Sequence, residues 1–220
     1  MPAACTGAAA PPRASDNYVR ETFDAFAGSF DQVLDQLGYR APGLIGELLG
    51  RELPAADGSL IIADAGCGTG LCADFLRPRA KRLIGVDLSP GMLTRARARA
   101  KYDDLVEAEL SAWLGSMRRA YDVIVSADTF CYFGPLDVVI SAAANALRPG
   151  GLLAFTVEQA GDDGPPFTLN PSGRYSHAHG YVHDAITAAR LAVNAIEPVV
   201  LRRENGQDVA GWLVSARRPA

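Results

Sequence analysis

The middle of the chain alternates short apolar runs with stretches of helical periodicity. The apolar runs are Leu60–Ala63, Arg82–Asp87, Leu105–Glu109, Tyr121–Ala127 and Gly151–Glu158. The helical patterns between them are Leu71–Leu76, Gly91–Tyr102, Leu110–Arg119 and Leu136–Leu147. Short continuous apolar runs are typical of strands buried on both faces of a parallel sheet. The alternation therefore predicts an open, mostly parallel α/β sheet with helices on both faces and right-handed crossovers.

The last third of the chain has a different pattern. After a loop rich in glycine and proline (Gly161–Gly173), the periodicity predicts a helix near Val182–Val193. Two strand patterns follow, Val199–Glu204 and Val209–Ala216, and Asn205-Gly206 lies between them. Asn-Gly between two strands is a strong signal for a tight hairpin. We therefore predict that an antiparallel hairpin closes the sheet, which an ordinary dinucleotide-binding fold does not have.

The N-terminal part divides into a tail and a helical segment. Residues 1–14 are rich in alanine and proline and predict a disordered tail. Ser15 and Asp16 are good N-caps for a helix towards Ala27, and Pro42 begins a second helix at 41–51. One apolar stripe follows helical spacing, and its simplest interpretation is packing against the domain. Its members are Val19, Phe23, Phe26 and Phe30. We therefore divide the chain into a tail (1–14), a helical cover (15–58) and one α/β domain (59–220).

Composition narrows the functional class. The chain has 220 residues and a net charge of −4, which disfavours a basic nucleic-acid-binding domain. No stretch approaches the roughly 18 apolar residues of a membrane span. The four cysteines are scattered without a Cys-x-x-Cys pair, which argues against a disulfide scaffold or a thiolate zinc site. We expect a cytoplasmic protein with no nucleic-acid or membrane partner.

The sharpest local signal is the glycine-rich stretch Asp64–Gly70. It follows a predicted strand and opens a predicted helix, so backbone N–H groups face an approaching ligand. The next strand ends in Asp87, 23 positions after Asp64, where a carboxylate can accept hydrogen bonds from a ribose diol. In the dinucleotide frame the third glycine position holds Leu71, and no Gly-Lys-Ser/Thr phosphate loop is present. The spacing therefore disfavours nicotinamide, flavin and nucleoside triphosphate sites.

These residues resemble the class I S-adenosylmethionine-dependent methyltransferases. Asp64–Gly70 is similar to the first motif of that family and Asp87–Met92 to its second, and the closing hairpin is typical of it. The resemblance covers Ser59 to the C-terminus and implies a Rossmann-like, seven-stranded, mostly parallel sheet. A closer likeness, to the methyltransferase domains found behind bacterial tetratricopeptide repeats, rests on three further stretches. These are Ser126–Gly134, Leu147–Gly151 and Ser172–His177.

The resemblance also implies roles for individual residues. The cofactor-binding set would be Asp64, Ala65, Gly66, Gly68, Gly70, Asp87, Leu88, Met92, Glu109, Leu110 and Ser126. In this set Asp64 would lie near the amino group of the cofactor, and Asp87 would bind the ribose hydroxyls. Leu88 and Met92 would border the adenine, and Glu109, where the family often has Asp, would accept from the adenine amino group. Ser126 would lie beside the transferred methyl.

The acceptor side carries candidates of a different kind. The resemblance places Asp128 beside the transferred methyl, and we take His177 and Tyr175 as further candidate catalytic residues. The candidate substrate-binding residues are Phe23, Phe30, Arg174 and Tyr181. His179 and His183 have the spacing of two metal ligands on one helix, but a solvated helix start is the preferred interpretation, so we predict no metal site.

The sequence thus predicts methyl transfer from S-adenosylmethionine to a small-molecule acceptor by direct displacement. Because the sulfonium methyl is already electrophilic, alignment and exclusion of water do most of the work. Three other interpretations stay open at this point. They are a protein that binds S-adenosylmethionine or S-adenosylhomocysteine without catalysis, a protein-directed methyltransferase and a nicotinamide-dependent oxidoreductase.

Overall fold

The computed structural model describes residues 11–161 and 163–220 and contains one twisted sheet. Its strands are β1 (Leu60–Ala65), β2 (Ala80–Asp87), β3 (Asp104–Glu107), β4 (Tyr121–Ser126), β5 (Leu147–Gln159), β6 (Phe167–Leu169), β7 (Tyr175–His177), β8 (Ala192–Glu204) and β9 (Gln207–Arg217). The order β3-β2-β1-β4-β5 is parallel throughout, and β9 pairs antiparallel with β5. The predicted parallel α/β sheet with an antiparallel closure is confirmed.

Helices cover both faces of the sheet. They are α1 (Asp16–Phe26), α2 (Phe30–Gln36), α3 (Ala41–Glu52), α4 (Ala73–Leu76), α5 (Pro90–Ala98), α6 (Leu110–Ser116), α7 (Asp137–Ala146) and α8 (His179–Ala188). Along β1, Ile62 joins one buried cluster with the apolar side of α3, and Ala63 joins the opposite cluster with α7 and α8. None of the helices in the described ranges is long and apolar enough to cross a membrane.

The closing hairpin forms as the Asn-Gly signal predicts. Asn205 and Gly206 have φ values of 51° and 77°, which is the backbone of a type I′ turn, and Glu204 pairs with Gln207 across it. Both strands are longer than the sequence pattern indicated, because helix α8 ends early. Arg190 adopts φ of 60°, and the Leu191 N–H donates to the Ile186 carbonyl, so a left-handed cap stops the helix. The expected helix over 182–193 is therefore shifted towards the N-terminus.

A second, small hairpin occupies part of the stretch predicted as a loop. Strand β6 pairs antiparallel with β7, and β7 adds in parallel to the end of β5 through Glu158 and Gln159. This hairpin raises the number of strands from the expected seven to nine. It fixes residues 167–177 beside the carboxyl ends of the central strands.

The last four residues of the predicted tail lie against the domain. Residues 11–14, here called the N-terminal strap, run along residues 132–134 as a short antiparallel bridge. The Gly134 N–H donates to the Pro12 carbonyl at 2.9 Å, and the Ala14 N–H donates to the Tyr132 carbonyl at 2.9 Å. The Pro12 carbonyl thus accepts a hydrogen bond from the folded domain. The alanine- and proline-rich composition of the segment does not predict this contact. The rest of the predicted tail, residues 1–10, lies outside the described residues.

Candidate active site

A cavity of about 320 Å³ opens at the carboxyl ends of strands β1, β2 and β4. Gly66 and Cys67 follow β1, Asp87 ends β2, and Asp128 follows β4, and all four line the cavity. Open α/β sheets bind ligands at this edge because the loops after parallel strands converge there. The sequence-predicted loop and ribose acid are therefore brought together at one cavity.

The glycine loop takes a backbone that only glycine adopts without strain. Gly66, Gly68 and Gly70 have φ values of 79°, 54° and 89°. A Cβ on Gly66 would lie 2.2 Å from Oγ1 of Thr129, so close packing adds a second reason for glycine there. The Gly66 and Cys67 N–H groups both donate to the Val86 carbonyl, which ties the loop to the end of β2. Gly66 and Gly68 line the cavity, whereas Ala65 and Gly70 hold the loop from outside its wall.

Asp64 is a buried acid with half of its hydrogen-bonding capacity unused. Its Oδ2 accepts from the Tyr102 hydroxyl at 2.6 Å, whereas its Oδ1 has no partner among the described residues. Burial raises the pKa of Asp64 to about 7, the Tyr102 hydroxyl lowers it in part, and the nearby Asp87 raises it further. Asp64 lies behind the glycine loop and not on the cavity wall. A buried carboxylate oxygen without a partner fits a cationic ligand group close to this loop.

Asp87 is held rigidly at the cavity wall. Its Oδ2 accepts from the Gly68 N–H and its Oδ1 from the Ser89 N–H, both at 2.9 Å. Burial raises the pKa of Asp87, and these backbone donors oppose the rise. Each oxygen keeps a lone pair, so the side chain is oriented to accept from a pair of hydroxyl groups. Leu88 and Met92 line the cavity next to it, at the start of α5.

Glu109 lies at the cavity but has a structural task as well. Strand β3 ends at Glu107, so Glu109 is not at its tip as the pattern indicated. It is the N-cap of α6, where its oxygens accept from the N–H groups of Ser111 at 3.0 Å and Ala112 at 2.8 Å. Leu110, the first residue of α6, also lines the cavity. Ser126 is buried, and its hydroxyl donates to the Ala65 carbonyl at 2.9 Å, which joins β4 to β1 away from the wall.

The helical cover supplies an aromatic wall. Helix α1 has no buried residue, because its apolar stripe faces the cavity and not the core. Phe23 makes edge contacts with Phe30 and with Tyr132, at centroid distances of 6.1 and 5.5 Å. The interpretation of the stripe as ordinary packing is therefore replaced by a role in forming the cavity. Asp24 pins the cover, because its Oδ1 accepts from the Gly91 N–H at 2.9 Å.

A largely buried cluster of charges borders the cavity. We call it the arginine–carboxylate cluster, and it comprises Asp128, Glu158, Arg174, Arg202 and Glu204. Arg202 is only 1% exposed and donates to Asp128 at 2.9 Å, to Glu204 at 2.7 Å and to Glu158. Arg174 donates to Glu204 at 2.9 Å. Asp128, Arg174 and Arg202 line the cavity, so two of the three were predicted from sequence and Arg202 was not.

Three residues predicted for the acceptor side do not line the cavity. The Nε2 of His177 lies 3.0 Å from the carbonyl oxygens of Phe133 and Gly134, and burial lowers the pKa of His177 to about 4. The Tyr181 hydroxyl is engaged with the Leu136 N–H and Asp137, and that of Tyr175 with the Pro11 carbonyl. None of the three lines the cavity, so the structure does not bring them to its wall, and their roles towards the acceptor stay predictions. They hold the 133–137 turn and the strap instead.

The histidine pair forms no metal centre in the described part of the chain, where no group of three or more His, Cys, Asp or Glu side chains is arranged to hold an ion. His179 packs edge-on against Trp212 at 5.2 Å, and His183 lies 3.3 Å from Asp184 on the exposed face of α8.

Comparison with known proteins finds methyltransferases in each case. The family model described as a methyltransferase domain matches residues 63–155. Methyltransferase-like protein 27 of Homo sapiens is 35% identical over 136 residues, which are 61% of this chain and 55% of the relative. Trans-aconitate 2-methyltransferase of Paracidovorax citrulli is 34% identical over 111 residues, or 50% of this chain and 42% of the relative. The matches thus span about half the length of these relatives.

Solved structures share the fold. The 1,6-didemethyltoxoflavin-N1-methyltransferase of Burkholderia thailandensis, solved with 1,6-didemethyltoxoflavin and S-adenosylhomocysteine bound, has a TM-score of 0.69 at 18% identity. The alignment covers 96% of this chain and 93% of that one. The glycine loop, Asp87, strands β2 to β4 and the second half of β1 lie inside residues 63–155. Residues 63–155 therefore resemble the methyltransferase domain family, and the chain has the fold of solved methyltransferases.

Proposed function

We propose that the whole chain transfers a methyl group from S-adenosylmethionine to a small molecule bound in the cavity. The observation that carries this proposal is the shared cavity, in which the glycine loop and Asp87 lie opposite an aromatic wall and a charge cluster. One end suits a nucleoside with an amino acid tail, and the other suits an acceptor. The cover and the strap leave room for a small molecule more readily than for a folded protein.

The residues have separate tasks in this proposal. Asp87 accepts the ribose hydroxyls, Gly66 and Gly68 bring the backbone close to the ligand, and Asp64 balances the charge of the ammonium group. Leu88 and Met92 border the adenine, and Glu109 faces its amino group. Asp128 lies on the acceptor side, where it orients the methyl acceptor. The chain thereby positions two ligands and keeps water out with its aromatic wall.

When bound, S-adenosylmethionine supplies an electrophilic methyl carbon, whose bond to sulfur breaks with the electron pair staying on sulfur as the acceptor atom bonds to carbon. An acceptor that starts protonated loses its proton to water or to a carboxylate at the site. No dedicated base is required where the acceptor atom already has a free lone pair.

Two finer expectations remain predictions. One is the closer likeness to methyltransferase domains associated with tetratricopeptide repeats, and the other is a cytoplasmic location. A protein that holds the cofactor without transferring its methyl group would use the same cavity, so activity has to separate the two functions.

The proposed activity is tested with S-adenosylmethionine labelled with ¹³C in its methyl group. The purified full-length chain is incubated with this cofactor and a small-molecule extract, and labelled products are identified by mass spectrometry. We expect at least one new labelled metabolite and stoichiometric S-adenosylhomocysteine. Binding of S-adenosylhomocysteine without any labelled product from small molecules or proteins would favour the non-catalytic alternative.

Cofactor affinity is expected to fall as the pH is lowered below 7. Asp64 has a pKa of about 7 in the free protein, and only its ionised form attracts an ammonium group. Below that pH binding must expel the Asp64 proton, so the affinity should fall by up to about tenfold per pH unit between pH 7 and 5.5. Calorimetry of S-adenosylhomocysteine binding in buffers with different ionisation enthalpies measures both the affinity and the released proton. A flat affinity with no proton release would contradict this role of Asp64.

A further inference from the structure

The chemistry of the cavity wall restricts the acceptor, provided that the proposed function holds. Seven aromatic side chains contribute to the wall: Tyr18, Phe23, Phe26, Phe30, Tyr39, Tyr132 and Phe133. They come from α1, from the start of α2, from the loop after α2 and from the segment after β4, so they surround the space from more than one side. Flat aromatic molecules gain most from such a wall, through burial and through edge and face contacts between rings.

The arginines of the cavity are already paired with carboxylates. Arg202 uses Nε, Nη1 and Nη2 on three different carboxylates, so it has no free pair of donors, and Arg174 donates through Nη1 to Glu204. The third arginine of the wall, Arg13, is paired with Asp16. Carboxylate recognition by arginine depends on a free pair of parallel N–H donors.

The net charge of the arginine–carboxylate cluster also disfavours an anionic acceptor. The arginine–carboxylate cluster holds two guanidinium groups and three carboxylates, so its formal charge is −1. Burial by itself raises the pKa of Glu204, but the hydrogen bonds and charges of Arg202 and Arg174 lower it overall, which keeps this carboxylate ionised. A second negative charge from a substrate would be buried against this cluster without a counterion.

The wall does offer partners for a neutral polar group. Oδ2 of Asp128 is taken by Arg202, whereas Oδ1 has only a weak contact with the Cys131 sulfur at 3.7 Å. Tyr39 also lines the cavity, and burial raises the pKa of its hydroxyl well above the usual value, so it stays protonated. Asp128 can therefore accept a hydrogen bond from a substrate, and Tyr39 can donate or accept one.

We infer that the methyl acceptor is an uncharged aromatic compound that presents an O–H or N–H group to Asp128, and not a carboxylate. This differs from the acceptor in the name of the related trans-aconitate enzyme, since trans-aconitate carries several carboxylates. The match covers 42% of that relative, so the two proteins need not share the residues that bind the acceptor.

The test uses matched pairs of probes on the full-length chain saturated with S-adenosylhomocysteine. The pairs are phenol against benzoate and 2-naphthol against 2-naphthoate, with trans-aconitate added as a non-aromatic anion. Calorimetry is expected to show that the neutral member of each pair binds at least tenfold more tightly than the carboxylate. Equal or tighter binding of the carboxylates, or binding of none of the aromatic probes, would overturn the inference.

A charge-changing variant makes the test specific. Asp128→Asn makes the cluster formally neutral and releases one Arg202 donor, so we expect 2-naphthoate to gain at least fivefold in affinity while 2-naphthol loses affinity. Glu204→Gln changes the formal charge equally from a partly exposed position, and serves if the first variant does not fold. Asp208→Asn is the control, because Asp208 pairs with the exposed Arg203 outside the cavity. It should leave the ratio of the two affinities unchanged, and an equal change in all three variants would contradict the inference.

The outcomes separate the inference from the proposed function. If S-adenosylhomocysteine does not bind, the proposed function fails first. If it binds and labelled products form but those products are methyl esters of carboxylic acids, only the inference about the acceptor fails.

Discussion

Replacing Arg202 with Met is expected to reduce the free energy of unfolding by about 3–5 kcal/mol, a large part of the 5–15 kcal/mol typical of a domain. The substitution keeps an unbranched apolar stem but removes the guanidinium, which leaves Asp128, Glu158 and Glu204 with only that of Arg174 among them. Removing one partner from a buried ionic cluster costs more than the cluster contributes in total, because the desolvated charges that stay behind have no counterion. Urea denaturation at pH 7.5 measures the change.

The adjacent residue provides a matched control for this prediction. Arg203 lies in the same strand, but its side chain is 66% exposed and pairs with the exposed Asp208. Arg203→Met should therefore change stability by less than about 1 kcal/mol, as is usual for surface ion pairs. If Arg202→Met lowered the free energy of unfolding no more than Arg203→Met does, the arginine–carboxylate cluster would not stabilise the fold as we infer.

The pH dependence of the Arg202→Met variant has a definite sign. In the wild type the pKa of Glu204 is lowered, so its stabilising contribution is present above the pKa of the unfolded chain and is lost as the pH falls through the lower folded value. In the variant the effect of burial prevails and the folded pKa rises. The variant should then gain stability as the pH falls, and the difference from wild type should be smaller at pH 5 than at pH 8.

The second large effect is expected from Asp64→Asn, which should weaken S-adenosylhomocysteine binding about 10- to 100-fold above pH 7. This range corresponds to the loss of one charge-assisted contact, about 1.5–3 kcal/mol. Asn keeps the shape and can still accept from the Tyr102 hydroxyl, so the loss is one of charge and not of packing. The variant should also lose the fall in affinity below pH 7.

The melting temperature of Asp64→Asn shows whether weaker binding comes from the lost charge or from a destabilised fold. The folded pKa of Asp64 is raised to about 7, so the folded wild type binds more protons than the unfolded chain and loses stability as the pH rises from about 4 to 7. Asp64→Asn removes that loss, and at pH 8 its melting temperature should be equal to or above that of wild type. Weak binding together with a lower melting temperature would show that the carboxylate is needed for the fold and not for the ligand.

Local sequence signals were sufficient for the elements that bind the cofactor. The glycine loop, the strand ending in Asp87 and the Asn205-Gly206 turn each require particular backbone angles or spacing, and these requirements can be read from neighbouring residues. The aromatic side of α1 was visible as a stripe of helical spacing. The pattern alone fits both helix packing and a substrate-binding wall that includes Phe23 and Phe30, because the two need the same apolar spacing. The structure places both residues on the cavity wall.

The features that the sequence did not predict depend on contacts between residues far apart in the chain. Arg202 follows Leu201, and both are buried because the pairing register of β8 with β9 shifts between Val200 and Arg202. Such a bulge breaks the alternation of inward and outward side chains, and the run Arg202-Arg203 therefore resembles an ordinary exposed basic pair. The position of His177 could not be predicted for a related reason: it lies on β7, whose pairing with β5 has no local sequence signal. The docking of the N-terminal strap on residues 132–134 is equally remote in sequence.

The most direct test of the account is calorimetric titration of the full-length wild-type chain with S-adenosylhomocysteine and, separately, with NADH, at pH 7.5. The account predicts saturable binding of S-adenosylhomocysteine at one site per chain and no binding of NADH. Binding of NADH without binding of S-adenosylhomocysteine would contradict it.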